Sequence, residues 1–207
     1  MRKLIIVAVG LIVAWGWFAS PSAPHSEQLA ALVDAPPRLS GLALNRPPRQ
    51  LALEEERVIG IEGHSLRLRA EFGLVARVLG RRDYRWDRWS ALSPVDLALG
   101  WGPMSDPEVL AAIDIRQNGR FYFWRVDEFP IPRAQIEASS ANMHLIPASP
   151  AVFDRLDEIE EGDRLRLMGY LVDVDRDDGA WWRTSLRRDD TGEGACELIL
   201  LTSVERL

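Results

Sequence analysis

With one cysteine and three histidines in 207 residues, the chain has little material for several kinds of chemistry. A lone Cys196 cannot close an intramolecular disulfide, so stability has to come from an apolar core. No Cys and His cluster exists to hold zinc, and the chain has no glycine-rich dinucleotide loop, no Walker sequence and no Gly-x-Ser-x-Gly turn. Neither metal nor cofactor is expected. Positive charge is also short: 25 Lys plus Arg stand against 31 Asp plus Glu, a net charge of −6. That balance leaves no surplus to neutralise a phosphate backbone, and nucleic acid is not an expected partner.

What is present begins with "MRKLIIVAVGLIVAWGWFAS". Arg2 and Lys3 precede an uncharged run from Leu4 to Ala19, with Trp15 and Trp17 at its far end, where indoles favour a membrane interface. Trp17, Pro21 and Pro24 make a poor site for signal cleavage, so residues 1–23 read as one uncleaved transmembrane helix. Positive charge stays inside, which predicts a single-pass protein of a bacterial inner membrane with its C-terminal part outside the cytoplasm. Residues 24–50 hold Pro24, Pro36, Pro37, Pro47 and Pro48 and read as a semi-rigid linker, broken only by the short helical patch "EQLAALV".

From residue 51 to 207 the texture is alternation. "SLRLRAEF" puts Leu66, Leu68, Ala70 and Phe72 on one face and charges on the other, the period of a half-buried strand, and "LVARVLG" continues it. "SPVDLALGWG" and "SDPEVLAAIDI" each open on a serine and read as short helices, the second with Ser105 and Glu108 as a capping box. Asn118-Gly119 in "DIRQNGRFYFWRV" predicts a tight hairpin. Ser149-Pro150 opens a helix with Phe153, Leu156 and Ile159 on one face; Gly162 stops it, and a strand follows from Leu165. "AWWRTSL" and "ACELILLTSVERL" read as the last two strands. The expected fold is mainly β with short helices, a small closed or partly closed β-barrel that protects its strand edges.

Four features raise the question of a site. Asp190-Thr191-Gly192 spells the aspartic-protease tripeptide, but Arg187, Arg188 and Asp189 lead into it where an apolar strand is required, so it reads as a turn. Asp173, Asp175, Asp177 and Asp178 approach a calcium loop, with the glycine one place late and Thr184 at the twelfth position; they read as a solvated hairpin tip. Cys196 and His144 are the candidate catalytic pair of a cell-envelope hydrolase or transpeptidase, against the reading of a strand cysteine facing the core and a structural histidine bonded to backbone. In "YRWDRW", Tyr84, Trp86 and Trp89 are interleaved with Arg85, Asp87 and Arg88, charges that make full burial difficult; with Trp101, which follows in "GWGPMSD", they form the candidate ligand-binding face for an envelope protein or glycan.

The order His144, then Phe153, Leu156 and Ile159 before Gly162-Asp163, then a strand and the terminal "LILLTS", resembles the skeleton of a sortase, a membrane-anchored β-barrel transpeptidase. That resemblance implies a barrel and not the activity, since Ser203 stands where a sortase has its cysteine. The blocks "LSPVDLALGWGPMSD", "SANMHLIPAS" and "RRDDTGEGACEL" resemble those of uncharacterised membrane-anchored bacterial proteins, which implies no function. The leading expectation is a membrane-tethered, non-enzymatic binding or accessory domain.

Overall fold

A computed structural model of the chain describes residues 27–187 and 196–207. The alternating segment from His64 becomes a long strand, β2 (His64–Asp83), which follows β1 (Arg49–Ile61) through a turn at Glu62-Gly63. Next come β3 (Val95–Gly100), a 3-10 turn (Gly102–Ser105) and a helix (Pro107–Leu110), then the hairpin of β4 (Asp114–Asn118) and β5 (Phe121–Arg125). A helix at Arg133–Ala138 leads into β6 (Ser140–Pro147), a second at Pro150–Asp157 leads into β7 (Arg164–Arg176), and β8 (Trp181–Trp182) and β9 (Glu197–Arg206) complete the order.

Five strands close on themselves. β2 pairs with β3, β3 with β6, β6 with β9, β9 with β7, and β7 again with β2, so the sheet is ring-like; only β6 and β9 run parallel. β1 lies outside the ring on β2, and β8 on β7. The fold is mainly β with short helices, as the alternation predicts.

Ring closure sorts the apolar residues into separate cores. Phe72, Leu74, Leu97, Leu99, Met143, Leu145, Leu165, Leu167, Ile199 and Leu201 meet within the ring. Leu66, Leu68, Tyr170, Val172, Val174, Leu198 and Leu200 pack on its outside with Leu29 and Leu32 of the N-terminal helix Glu27–Asp34. Leu68 and Ala70 have the same parity yet belong to different cores. The register shift between them is the reason: one extra residue, Arg69, turns the following side chains to the opposite face. Two glycines let backbone approach a strand closely, since a Cβ on Gly169 would lie 2.1 Å from the Leu200 carbonyl oxygen of β9 and one on Gly100 2.1 Å from that of Met104 in the 3-10 turn.

Three local readings are corrected. "SPVDLALGWG" is not a helix but holds β3, all six of whose residues are buried. Covered on both sides, it loses the period that marks a half-buried strand. In the next segment the cap is Asp106, whose side chain accepts from the Glu108 N–H, while Ser105 Oγ donates to the Gly102 carbonyl. "AWWRTSL" is regular only at Trp181–Trp182. The helix Pro150–Asp157 is capped by Ser149 as predicted, but it buries Val152 and Leu156 and leaves Phe153 half-exposed. No helix among the described residues is long and apolar enough to cross a membrane, and residues 1–26, with the predicted anchor, lie outside the described part.

Candidate binding loop and the polar layer that holds it

Asn118 pairs with Phe121, so the two-residue hairpin turn is Gly119-Arg120, one place later than the Asn-Gly dipeptide suggests. Both residues have positive φ, 57° and 73°. A hairpin of this length favours that geometry, but for arginine the left-handed region costs about 1 kcal/mol. The side chain accounts for how it is held. The hairpin folds back over the outer faces of β3 and β6, with Ile115, Tyr122 and Trp124 packed over Ala98 and Ile136. Toward its tip the apolar contact gives way to a polar layer.

Asp96 is the centre of that layer, fully buried on the outer face of β3. Arg120 Nη1 donates to Asp96 Oδ1 at 2.9 Å, Asn142 Nδ2 donates to Oδ2 at 3.4 Å, and His144 Nδ1 lies 2.9 Å from Oδ2 without the alignment of a hydrogen bond. Gln117 Nε2 donates to Asn142 Oδ1 at 2.8 Å, and Asn142 Nδ2 also reaches the Arg120 carbonyl. Ser140 Oγ donates to the Ile136 carbonyl, which leaves the Tyr122 hydroxyl, 2.6 Å away, as donor to Ser140. Burial pushes Tyr122 up to about 12, against the Ser140 bond and with the negative charges of Glu137, Cys196 and Glu197 adding to the effect.

Arg120 also reaches out of the layer to the segment 84–92 between β2 and β3. Its Nε and Nη2 donate to the two Asp87 oxygens at 2.9 Å each, and Nη1 donates to the Ser93 carbonyl at 2.9 Å. Its guanidinium carbon sits 3.7 Å from the centre of the Tyr84 ring, and its backbone N–H donates to the Tyr84 hydroxyl. Partial burial acts to raise the Asp87 pKa, but hydrogen bonds from Arg120 and from the Trp89 N–H outweigh it and hold the carboxyl below its ordinary value. Tyr84 is pushed up by burial and then by the Asp96 charge.

The loop is pinned from its other side as well. Arg176 donates to the Arg88 carbonyl at 2.6 Å, Trp89 stacks on Trp182 with ring centres 5.0 Å apart, and Trp182 covers His144 at 4.5 Å. The four aromatic residues singled out in the sequence therefore have four different situations. Trp86 is 94% exposed, Trp89 is partly buried in the stack, Tyr84 lies under Arg120, and Trp101 is 3% exposed inside the ring core. Trp101 is thereby removed from any surface.

His144 is buried, and its neighbour is the Asp96 carboxylate and not backbone. Cys196 is half-buried just before β9, where its carbonyl accepts from the Ser185 N–H. Asp190-Thr191-Gly192 lies outside the described residues. Three of the four aspartates of the calcium-like stretch face arginines: Asp173 pairs with Arg69, Asp175 with Arg183 and Asp178 with Arg176. Sequence reasoning missed Asp96, Arg120 and Trp182. The one available signal was Asp96 itself, a lone charge within the apolar run "SPVDLALG".

The chain matches no protein-family model, no curated protein and no solved structure.

Proposed function

We propose that this chain is a membrane-tethered extracytoplasmic binding domain, and that its ligand surface is the loop 84–92 with Trp86 at its exposed apex. The observation that carries the reading is the contrast within that loop: Asp87, Tyr84 and Trp89 are all tied to the body, while Trp86 between them is 94% exposed. A rigid loop that presents one free indole is preorganised for contact, and an aromatic anchor of this kind carries much of the binding energy where it is used. Its partner is an envelope protein or glycan.

The ring supports the same reading by its wiring. We read β2, β3, β6, β7 and β9 as a five-stranded barrel, with a helix between the third and fourth strands and the third parallel to the fifth. Small five-stranded Greek-key barrels of the oligonucleotide- and oligosaccharide-binding kind use the loops after the first and fourth strands and the face of the second and third. Here those loops hold Trp86 and Trp89 on one side and Trp181 and Trp182 on the other. The face of β3 and β6 is occupied by the chain's own hairpin. That leaves the loops as the accessible part. The tether rests on Arg2, Lys3 and the apolar run Leu4 to Ala19.

The test is sedimentation of the purified full chain with isolated cell-envelope material, comparing wild type with Trp86→Ala. The expected result is loss of at least about 90% of the bound fraction, with the melting temperature unchanged. Equal binding by the variant would move the ligand surface elsewhere.

A further inference from the structure

The charges around Trp86 deepen this reading, on which the inference rests. Six charged residues lie between positions 81 and 88, and the acids among them are already engaged: Asp83 is paired with Arg81 at 2.7 Å, and both oxygens of Asp87 are taken by Arg120. Arg85 and Arg88 are exposed on either side of Trp86. Neither guanidinium has a carboxylate within ion-pair distance among the described residues. Asp178 is paired with Arg176 at 3.2 Å, and the Ala180 N–H, with Arg176 and Arg88 adding to it, holds its carboxyl below the ordinary value. A protein with a net charge of −6 thus carries a local cationic site at the tip of this loop.

The surroundings of the indole favour a sugar over a protein. A protein interface needs an apolar core of several residues inside a polar rim. Between residues 82 and 92, Trp86 is the sole large apolar side chain that is exposed, and Trp181 beside the Trp89–Trp182 stack adds one more, fewer than such a core needs. One ring face with charges on both sides suits a flat pyranose that offers C–H groups to the indole and an acidic substituent to arginine. Arg120 contributes without touching the ligand: by neutralising Asp87 it leaves Arg85 and Arg88 in charge of the site.

We propose that the loop selects an acidic glycan, with Trp86 stacking on a sugar ring and Arg85 and Arg88 pairing with its carboxylate or phosphate groups. The experiment is calorimetric titration of the full chain, in detergent, with three probes of equal chain length: an oligogalacturonate, a neutral malto-oligosaccharide and oligoaspartate. The oligogalacturonate is expected to bind at least about tenfold more tightly than the other two and to weaken as salt is raised. Arg85→Ala and Arg88→Ala should each lower that affinity about tenfold, the loss of one charge-assisted hydrogen bond, and Trp86→Ala about thirtyfold. Equal binding of the neutral oligosaccharide, still lost in Trp86→Ala, would overturn the charge selection and leave the loop as a glycan site. Equal binding of oligoaspartate would show a polyanion site and overturn the sugar. No binding of oligogalacturonate would also overturn the proposal, while loss of envelope binding in Trp86→Ala would then still stand for the loop and point to a protein partner.

Discussion

The inside of the ring and the layer under the β4–β5 hairpin are both buried, and they are built on opposite principles. Inside the ring, leucines, isoleucines and Phe72 meet by apolar packing. Under the hairpin, hydrogen bonds join Asp96, Arg120, Asn142 and Gln117, and Tyr122 to Ser140, while His144 lies beside the Asp96 carboxylate. An apolar core is tolerant of exact placement, whereas a hydrogen-bonded charge is satisfied in few geometries. The interior therefore provides stability, and the polar layer fixes where the hairpin and the loop 84–92 sit.

The largest effects separate the two by their rescue. Arg120→Ala leaves Asp96 buried without its main partner and should cost about 3–5 kcal/mol in chemical unfolding. Adding Asp96→Asn should return a good part of that loss, because the uncompensated charge is gone. Leu145→Ala in the interior should cost about 2–5 kcal/mol, and no second substitution of polarity would recover it. If the Asp96→Asn addition makes the Arg120 variant worse, the layer is not held by charge pairing.

Alkaline pH acts on the layer through Tyr122. Tyr122 is raised from 10.0 to about 12, so the folded state keeps its proton where the unfolded chain has lost it. Its contribution is complete below pH 10 and is lost as pH rises through about 12, a decline of about 2–3 kcal/mol over that window. Tyr122→Phe should remove this part of the slope. A variant with the wild-type alkaline profile would assign the slope to other groups.

Two tryptophans three places apart give the smaller effects. Trp89→Ala breaks the stack on Trp182 and should destabilise by about 1–2 kcal/mol, while Trp86→Ala should stay within about 0.5 kcal/mol. Thermal melts of both variants check the difference. Equal losses would mean that Trp86 packs against something.

Much of this fold was legible where burial alternates along a strand, as in the first part of β2, the first part of β7 and the β4–β5 hairpin. β2, β7, β9 and the hairpin announce themselves by alternation or by Asn-Gly, and Ser149 marks its helix. β3 was hidden because the ring core covers one face and the hairpin the other, so its apolar run has no period. The site was half legible. Interleaved charges pointed to the Tyr84 to Trp89 stretch, where Trp86 is exposed, whereas Trp101, which follows in an uncharged stretch, is closed over by the ring. Arg120 joins Asp96 and Asp87 from a different element, at separations of 24 and 33 residues, and no local pattern encodes such a meeting.

The claim that the polar layer positions the loop is tested most directly by amide hydrogen exchange in Asp87→Ala, which cuts the Arg120 fork to the loop and leaves the Asp96 pair in place. Exchange across residues 84–92 should accelerate at least about tenfold, a local loosening of more than about 1.4 kcal/mol, while β3 and β6 keep their wild-type protection. Unchanged protection of the loop in that variant would contradict the account, because Trp86 would then be presented by something other than Arg120.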